Sequence, residues 1–148
     1  MLNLINKYLN EDGNIILYHV SNPLFREKII EEGLTPQIGD SYQLHYEEIT
    51  NEKLKPLIFF CFENIYCSSY NDDRYKVTLT LEEFNNLNFK IDEEVYNSVC
   101  TENKIDLDKI SIIYEGVEYQ DYDWVLDLDK DKLIDVPLLD YKNKTLEF

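Results

Sequence analysis

His19 is the residue whose type and position offer chemistry most directly. It is the second-last residue of the apolar run 15–20, which is followed by Ser21, Asn22 and Pro23. A histidine at the end of a buried strand would face an opening beside backbone N–H groups, where it can bind a ligand. The alternative from the same position is a structural histidine that is satisfied by a neighbouring group.

Few other catalytic schemes fit a chain with only two histidines. The patterns GxSxG, GxGxxG and HExxH and the P-loop are absent. The acidic run 121–131 has aspartates at alternating positions, which fits a solvated strand face, and it lacks the central Gly and final Glu of an EF-hand loop. Because no CxxC occurs, we expect reduced thiols and no structural metal from the cysteines at positions 61, 67 and 100.

Charge limits the partner more than the reaction. The 148 residues carry 14 Lys plus Arg against 30 Asp plus Glu, a net charge of −16. Electrostatic binding of nucleic acid needs a basic surface, so RNA and DNA are disfavoured partners. A hydrophobic fraction of 44% supplies a core, and the length favours a single domain, 1–148. No segment resembles a signal peptide or a membrane-spanning helix, which favours a cytoplasmic protein that does not contact membranes.

Turn and cap signals define the element that follows the first strand. Either Ser21 or Asn22 is expected to cap a helix that has Pro23 in its first turn. Gly33 is expected just after the end of that helix. This arrangement would keep the strand end that carries His19 close to a helix start.

The rest of the chain is a mixture of short elements. Apolar or alternating runs predict strands at 15–20, 57–62, 75–81, 110–114 and 124–128, with a further one within 133–139. Helices are expected at 2–9, around 63–71 and over 92–100, and Thr80-Leu81-Glu82-Glu83 has the spacing of a capping box. Because there is no regular βαβ alternation, the predicted class is α+β, with mixed central sheets and short helices.

The order of these features resembles that of the ADP-ribosyltransferase-fold superfamily. That superfamily includes the poly(ADP-ribose) polymerases, small bacterial and phage transferases, and RNA 2′-phosphotransferases. The first similarity is a strand whose last residues include His19 and Ser21. A helix and the turn Gly33-Leu34-Thr35-Pro36 follow that strand. Val20 differs from the pattern, because many members have Gly after the histidine.

Two further similarities follow along the chain. The apolar strand around Phe60 is similar to the family's Ile/Val-Tyr-Phe strand, and a short helix ending at Tyr70 is expected after it. An acidic residue at a late strand is the third similarity. The resemblance covers residues 15–36 and 57–81, covers the last third of the chain only loosely, and implies a split β-sandwich.

The resemblance implies that the chain uses NAD as a co-substrate and transfers ADP-ribose to a protein. His19 would hydrogen-bond the adenine-side ribose, and Ser21 would help to hold the ribose or the nicotinamide amide. Tyr70 would stack on the nicotinamide ring. Phe60 is also predicted to bind the cofactor, because it lies in the strand that is similar to the family's Ile/Val-Tyr-Phe strand.

A late carboxylate would stabilise an oxocarbenium-like transition state as nicotinamide departs. Asp123, just before an apolar strand, is the better-placed candidate, Glu118 is the second, and Glu115 is the third. An Asp is shorter than the family's Glu, which favours a weak or altered activity. The RNA 2′-phosphotransferase branch uses several basic residues, so a chain whose arginines are Arg26 and Arg74 disfavours it.

Two other functions stay open. The chain could be an acidic binding or inhibitory protein that docks on a basic, nucleic-acid-binding partner, with an attraction that weakens as salt rises. It could also be a transferase-fold domain that has lost catalysis and only binds a nucleotide or a protein.

Overall fold

The computed structural model describes residues 2–37, 56–62, 68–69, 71–92, 98–116, 124–125 and 133–146. The strands in these residues are β1 (Asn14–Ser21), β2 (Ile58–Cys61), β3 (Ser68–Ser69), β4 (Asp73–Thr80), β5 (Lys90–Asp92), β6 (Ser98–Thr101), β7 (Ile110–Tyr114), β8 (Trp124–Val125) and β9 (Val136–Pro137). The α-helices are α1 (Leu2–Tyr8), α2 (Arg26–Glu32), α3 (Leu81–Asn86) and α4 (Leu138–Leu146), and 3₁₀ turns lie at Pro23–Phe25 and Leu107–Lys109.

The main sheet is built around β1 and β4, which each have 8 residues. Its strand order is β5-β6-β2-β1-β4-β7-β9. Every described pair in it is antiparallel. β3 and β8 form a separate antiparallel pair. The predicted α+β class is confirmed, with antiparallel pairing throughout the described strands.

One face of the main sheet carries the hydrophobic core. Ile15 and Leu17 of β1 lie opposite Leu79 and Val77 of β4, and all of them are almost completely buried. The helices contribute apolar side chains to the same cluster: Ile5 from α1, Ile29 and Ile30 from α2, Phe84 from α3 and Leu138 from α4. Burial of a side chain of this size stabilises by about 1.5–3 kcal/mol, so this face holds the helices on the sheet.

The opposite face is also buried near the start of β4. Arg74 alternates with Asp73 and Tyr75, and Cys100 alternates with Val99, so Arg74 and Cys100 lie on the side away from the core cluster. Arg74 is nevertheless only 1% exposed and Cys100 0%. A β-bulge between Arg74 and Tyr75 shifts the register of β4 against β7. Bulges re-aim side chains and are common beside functional sites.

The helix after β1 forms where local signals agree. The Asn22 side chain accepts a hydrogen bond from Leu24 N at 2.9 Å, and Pro23 begins the 3₁₀ turn that leads into α2. The helix ends at Gly33, whose φ of 81° is a conformation that glycine adopts without steric cost. Of the two predicted caps, Asn22 is therefore the one that the chain uses.

Two predicted helices are wrong where the structure describes them. Within the helix expected around 63–71, Ser68–Ser69 form β3. Within the helix expected over 92–100, the chain enters β6, which pairs with β2 on one side and β5 on the other. Pairing on both sides and complete burial of β6 outweigh helix propensity. The strand expected within 133–139 is β9, and the helix α4 after it has no counterpart among the predicted elements.

Candidate functional site

His19 lies on the core-facing side of β1, where the apolar face gives way to polar residues. It is opposite Tyr75 of β4, and the two ring centroids are 6.5 Å apart. The ring centroid of Phe60 in β2 is 5.5 Å from that of His19. The next pair along the two strands is Ser21 and Asp73. His19 is therefore held between two aromatic neighbours at the boundary between the core and a polar strand end.

A hydrogen bond determines which nitrogen of His19 carries a hydrogen. Nδ1 lies 2.8 Å from the carbonyl oxygen of Phe59. A carbonyl oxygen can only accept, so Nδ1 is the donor. In the neutral ring Nε2 is then the acceptor. This tautomer suits a ligand group that donates to Nε2, such as a sugar hydroxyl.

Ser21 and Phe60, the other described residues predicted to bind the cofactor, differ in access. Ser21 is partly exposed at the end of β1, on the same side of the strand as His19. Phe60 is 1% exposed and packs edge-on against Phe89, with centroids 5.8 Å apart. Phe60 thus supports the His19 ring from the core side, and its direct contact with a cofactor stays a prediction.

Tyr70, Glu118 and Asp123 lie outside the described residues, so the stacking and catalytic roles assigned to them stay predictions. Two of their chain neighbours are described. Ser69, which precedes Tyr70, pairs with Trp124, which follows Asp123. The β3–β8 pair therefore joins the two chain segments that contain the predicted stacking residue and the better-placed carboxylate.

Gly116 packs where segments from three parts of the chain meet. A Cβ on Gly116 would collide with the backbone carbonyl of Asn71 and would lie 2.8 Å from Cγ of Pro23. Asn71 directly follows Tyr70, Pro23 belongs to the turn after β1, and Gly116 comes just after β7. The exit from β1, the entry to β4 and the exit from β7 therefore come together at one end of the main sheet.

Asp73 is the charged centre of this end of the sheet. Its side chain is 0% exposed and accepts hydrogen bonds from Arg26 Nε at 2.8 Å and Arg26 Nη2 at 2.6 Å. Oδ1 also accepts from Gly116 N at 2.7 Å, and Oδ2 accepts from the Tyr75 hydroxyl at 3.2 Å. We call these residues, Arg26, Asp73, Tyr75 and Gly116, the Asp73 network. Because every donor is aimed at the carboxylate, its burial is compensated by charge-assisted hydrogen bonds.

Contacts with Asp73 keep Arg26 and Tyr75 each in one charge state. The hydrogen bond to Asp73 raises the pKa of Arg26 above its already high ordinary value. Burial raises the pKa of the Tyr75 phenol, and the adjacent charge of Asp73 raises it further. Arg26 therefore stays charged and Tyr75 stays protonated, as a donor to Asp73, across the physiological pH range.

Glu115 is the candidate carboxylate that the structure describes. It is exposed and lies near enough to the Tyr141 phenol of α4 to affect its pKa. Burial raises the pKa of Tyr141, and the charge of Glu115 raises it further. The charge of Glu115 also raises the pKa of Arg26. Glu115 therefore adjoins the Asp73 network, at the same end of the sheet as the other site residues.

No sequence pattern indicates the Asp73 network. Arg26 and Asp73 are separated by 47 positions, and neither belongs to a motif. The available signal is compositional, because Arg26 and Arg74 are the only arginines of the chain. Arginine is the side chain best suited to a bidentate, partly buried pair with a carboxylate, so each arginine in such a chain calls for a partner.

Other site types lack support in the part of the chain that the structure describes. Its His, Cys, Asp and Glu residues form no group that could hold a metal ion. Cys61 and Cys100 form no disulfide bond, while Cys67 and the aspartates of the run 121–131 lie outside the described residues. Among the described helices, none is long and apolar enough to cross a membrane.

No family model matches this chain, and neither does any curated protein or solved structure. The residues and contacts given above are therefore the basis for assigning a function.

Proposed function

We propose that the chain is an NAD-dependent mono-ADP-ribosyltransferase that modifies a protein, on a split β-sandwich of that superfamily. His19 carries the proposal. It occupies the strand-end position that the resemblance assigns to ribose binding, and its Nδ1 donates to the Phe59 carbonyl at 2.8 Å. Nε2 is then the nitrogen that accepts a hydrogen bond from a ribose hydroxyl.

The approach of the chain segments at Gly116 supports a shared binding site. The turn that follows His19 and Ser21 meets the segment that follows Tyr70 and the segment that leads to Glu118. A bound NAD has to contact groups from all of these segments at once in the proposed site. The proposed site therefore requires these segments to lie close together, and the contacts of Gly116 with Asn71 and Pro23 meet that requirement.

The proposed reaction breaks the bond between C1′ of the nicotinamide ribose and the nicotinamide nitrogen. Nicotinamide leaves with the bonding electrons, and a nucleophilic atom of the target protein forms a new bond to C1′ and loses its proton. Asp123 or Glu118 would stabilise the positive charge that develops on the ribose, since a preorganised charge is most effective in the transition state. Tyr70 would hold the nicotinamide ring by stacking.

Burial and charge support the proposed fold and partner. Arg74 and Cys100 are buried on the side of the main sheet that faces away from the core cluster, as expected when a sheet is covered on both faces. The net charge of −16 favours a basic protein as the target and disfavours RNA or DNA. Long-range attraction of this kind raises the rate of encounter more than it raises affinity.

NAD binding to the wild type and to His19→Ala tests the proposal. We expect the variant to bind NAD about 10-fold or more weakly, because a lost hydrogen bond that leaves a buried group unpaired costs about 1–3 kcal/mol. Thr78→Ala is the matched control, because Thr78 lies in the adjacent strand on the side away from the core. If the wild type neither binds NAD nor transfers labelled ADP-ribose to a basic protein, the proposal is wrong.

Replacing the candidate carboxylates separates catalysis from binding. We expect either Asp123→Asn or Glu118→Gln to lower the transfer rate by about 10²-fold or more while NAD binding is retained, because the lost charge acts mainly in the transition state. The other variant, and Glu115→Gln, should have a much smaller effect. NAD binding by the wild type without any transfer would instead identify a transferase-fold domain that has lost catalysis.

The second candidate function is non-enzymatic: the acidic protein would bind a basic protein partner without catalysing a reaction. The turn before α2 favours it, because Leu24 is 86% and Phe25 43% exposed at the start of a helix that carries Glu27, Glu31 and Glu32. An exposed apolar tip on a protein with a net charge of −16 suits a cationic protein segment with an apolar side chain. Purified basic DNA-binding proteins should then bind at low salt and release at high salt, and Leu24→Ser should weaken that binding. If neither high salt nor Leu24→Ser weakens the binding, this function is excluded.

A further inference from the structure

The Asp73 network connects elements that otherwise contact the proposed site separately. Arg26 begins α2, directly after the turn that follows β1. Tyr75 packs beside the His19 ring, with centroids 6.5 Å apart. Gly116 comes just after β7, two positions before Glu118. A single buried carboxylate therefore joins the surroundings of the predicted ribose-binding residue to the segment of a predicted catalytic residue.

The bonding pattern favours control of position over a gain in stability. The Asp73 side chain is 0% exposed, and a buried ion pair loses much of its attraction to the cost of desolvation. What the pair does provide is direction: the flat guanidinium of Arg26 donates through Nε and Nη2 to both oxygens. Such a bidentate pair fixes orientation as well as distance. The remaining bonds, from Gly116 N and the Tyr75 hydroxyl, are fixed with it.

Small displacements matter in a site of this kind. A shift of about 1 Å in a group that orients a substrate can cost about 10²-fold in rate. The close approach of Gly116 to Asn71 and Pro23 leaves no room for a Cβ, so movement of Gly116 would be transmitted to the neighbouring segments.

We propose that Arg26 and Asp73 are positioning residues that hold the segment around Gly116 and the Tyr75–His19 ring pair in register for ADP-ribosyl transfer. This inference rests on the proposed function. Neither residue needs to touch NAD. Their effect passes through the Gly116 amide and the Tyr75 hydroxyl to the residues that do.

Arg26→Ala with chemical rescue tests the proposal. The Arg26 side chain is 24% exposed, so a small guanidinium ion added at a low, non-denaturing concentration can reach the space that the side chain vacates. We expect Arg26→Ala to lower the rate of transfer at saturating NAD by about 10-fold or more. Added guanidinium should restore part of that rate. Arg26→Lys keeps the positive charge but loses the planar guanidinium, so its transfer rate should lie between those of the wild type and Arg26→Ala. It also serves as a second variant in case Arg26→Ala does not fold.

Thr80→Ala at the other end of β4 is the control for a purely structural effect. This change removes the cap of α3 and should lower the free energy of unfolding by about 1 kcal/mol. Thr80 is not part of the Asp73 network. If transfer per folded molecule falls no more in Arg26→Ala than in Thr80→Ala, or if guanidinium does not restore it, the positioning role is wrong.

Amide exchange at Gly116 distinguishes failure of this inference from failure of the proposed function. The Gly116 N–H donates to Asp73 at 2.7 Å, so NMR should show slow exchange in the wild type, faster exchange in Arg26→Ala, and slower exchange again when guanidinium is added. If the wild type does not bind NAD, the proposed function and the functional part of this inference fail, whatever the exchange shows. If NAD is bound and transferred but Gly116 exchange is unchanged in Arg26→Ala, only the positioning role is wrong.

Discussion

The two ends of β4 are each stabilised by a carboxylate and a cation, but in opposite surroundings. At the start of the strand, Asp73 is fully buried and pairs with Arg26. At the other end, Thr80 and Glu83 form a capping box for α3, and Glu83 also pairs with Lys109. The Glu83 and Lys109 side chains are 32% and 33% exposed.

The difference shows what burial adds to an ion pair. The exposed pair remains largely hydrated, so breaking it leaves both charges in water and changes stability little. Replacing either residue of the buried pair leaves the charge of the other without its partner, and replacing Asp73 also leaves the Tyr75 phenol and the Gly116 amide without their acceptor. The exposed end therefore stabilises one helix start, while the buried end holds distant parts of the chain together.

Removing the buried carboxylate should have the largest effect. Asp73→Ala leaves the Arg26 guanidinium, the Tyr75 hydroxyl and the Gly116 amide without their acceptor, and we expect a loss of about 3–5 kcal/mol in the free energy of unfolding. Urea denaturation followed by circular dichroism measures it. A loss below about 1 kcal/mol, the size typical of an exposed pair, would remove the distinction between the two ends.

Crowding the meeting point of the segments should have the next largest effect. In Gly116→Ala the added methyl meets the Asn71 carbonyl and Pro23, and overpacking of this kind costs about 1–3 kcal/mol. The same denaturation experiment applies. Unchanged stability would show that the segments can separate freely, which would contradict the close packing at the buried end.

Loss of the cap at the exposed end should have a moderate effect. Thr80 Oγ1 accepts a hydrogen bond from Glu83 N at 3.1 Å, and Thr80→Ala should cost about 1 kcal/mol. Thr80→Ser keeps the hydroxyl and should be close to the wild type. Equal losses in the two variants would mean that the methyl group, and not the cap, matters at this position.

Acid should remove the smallest contribution. Hydrogen bonds from Lys109 and from the Thr80 backbone lower the pKa of Glu83. A depressed folded-state pKa means that the stabilisation is fully present above the ordinary Glu pKa of about 4.3 and is lost as pH falls through the lower folded value. The stability difference between the wild type and Glu83→Gln should therefore shrink as pH is lowered below about 4. A difference that grows at low pH would reverse this assignment.

Prediction from sequence succeeded where the deciding contacts are local. The Thr80–Glu83 capping box, the Asn22 cap and the Gly33 helix end all depend on residues within a few positions of one another. It failed at β6, because pairing with two strands distant in the sequence decides that conformation. The position of His19 at the end of a buried strand was predictable from the apolar run before it, but the Phe59 carbonyl that fixes its tautomer lies 40 positions away.

The sequence by itself determined the α+β class, the principal strand β1 with His19 near its end, and the helix start that follows, because apolar runs and capping signals act over a few residues. The tertiary structure alone decided that Arg26, Asp73, Tyr75 and Gly116 form one buried network. The Arg26–Asp73 pair spans 47 positions, and a separation of that size can be closed by many alternative pairings of the same residue types. Only the packing of α2 and the strand order β1-β4-β7 select this one, because they bring the donors to a carboxylate that is removed from water.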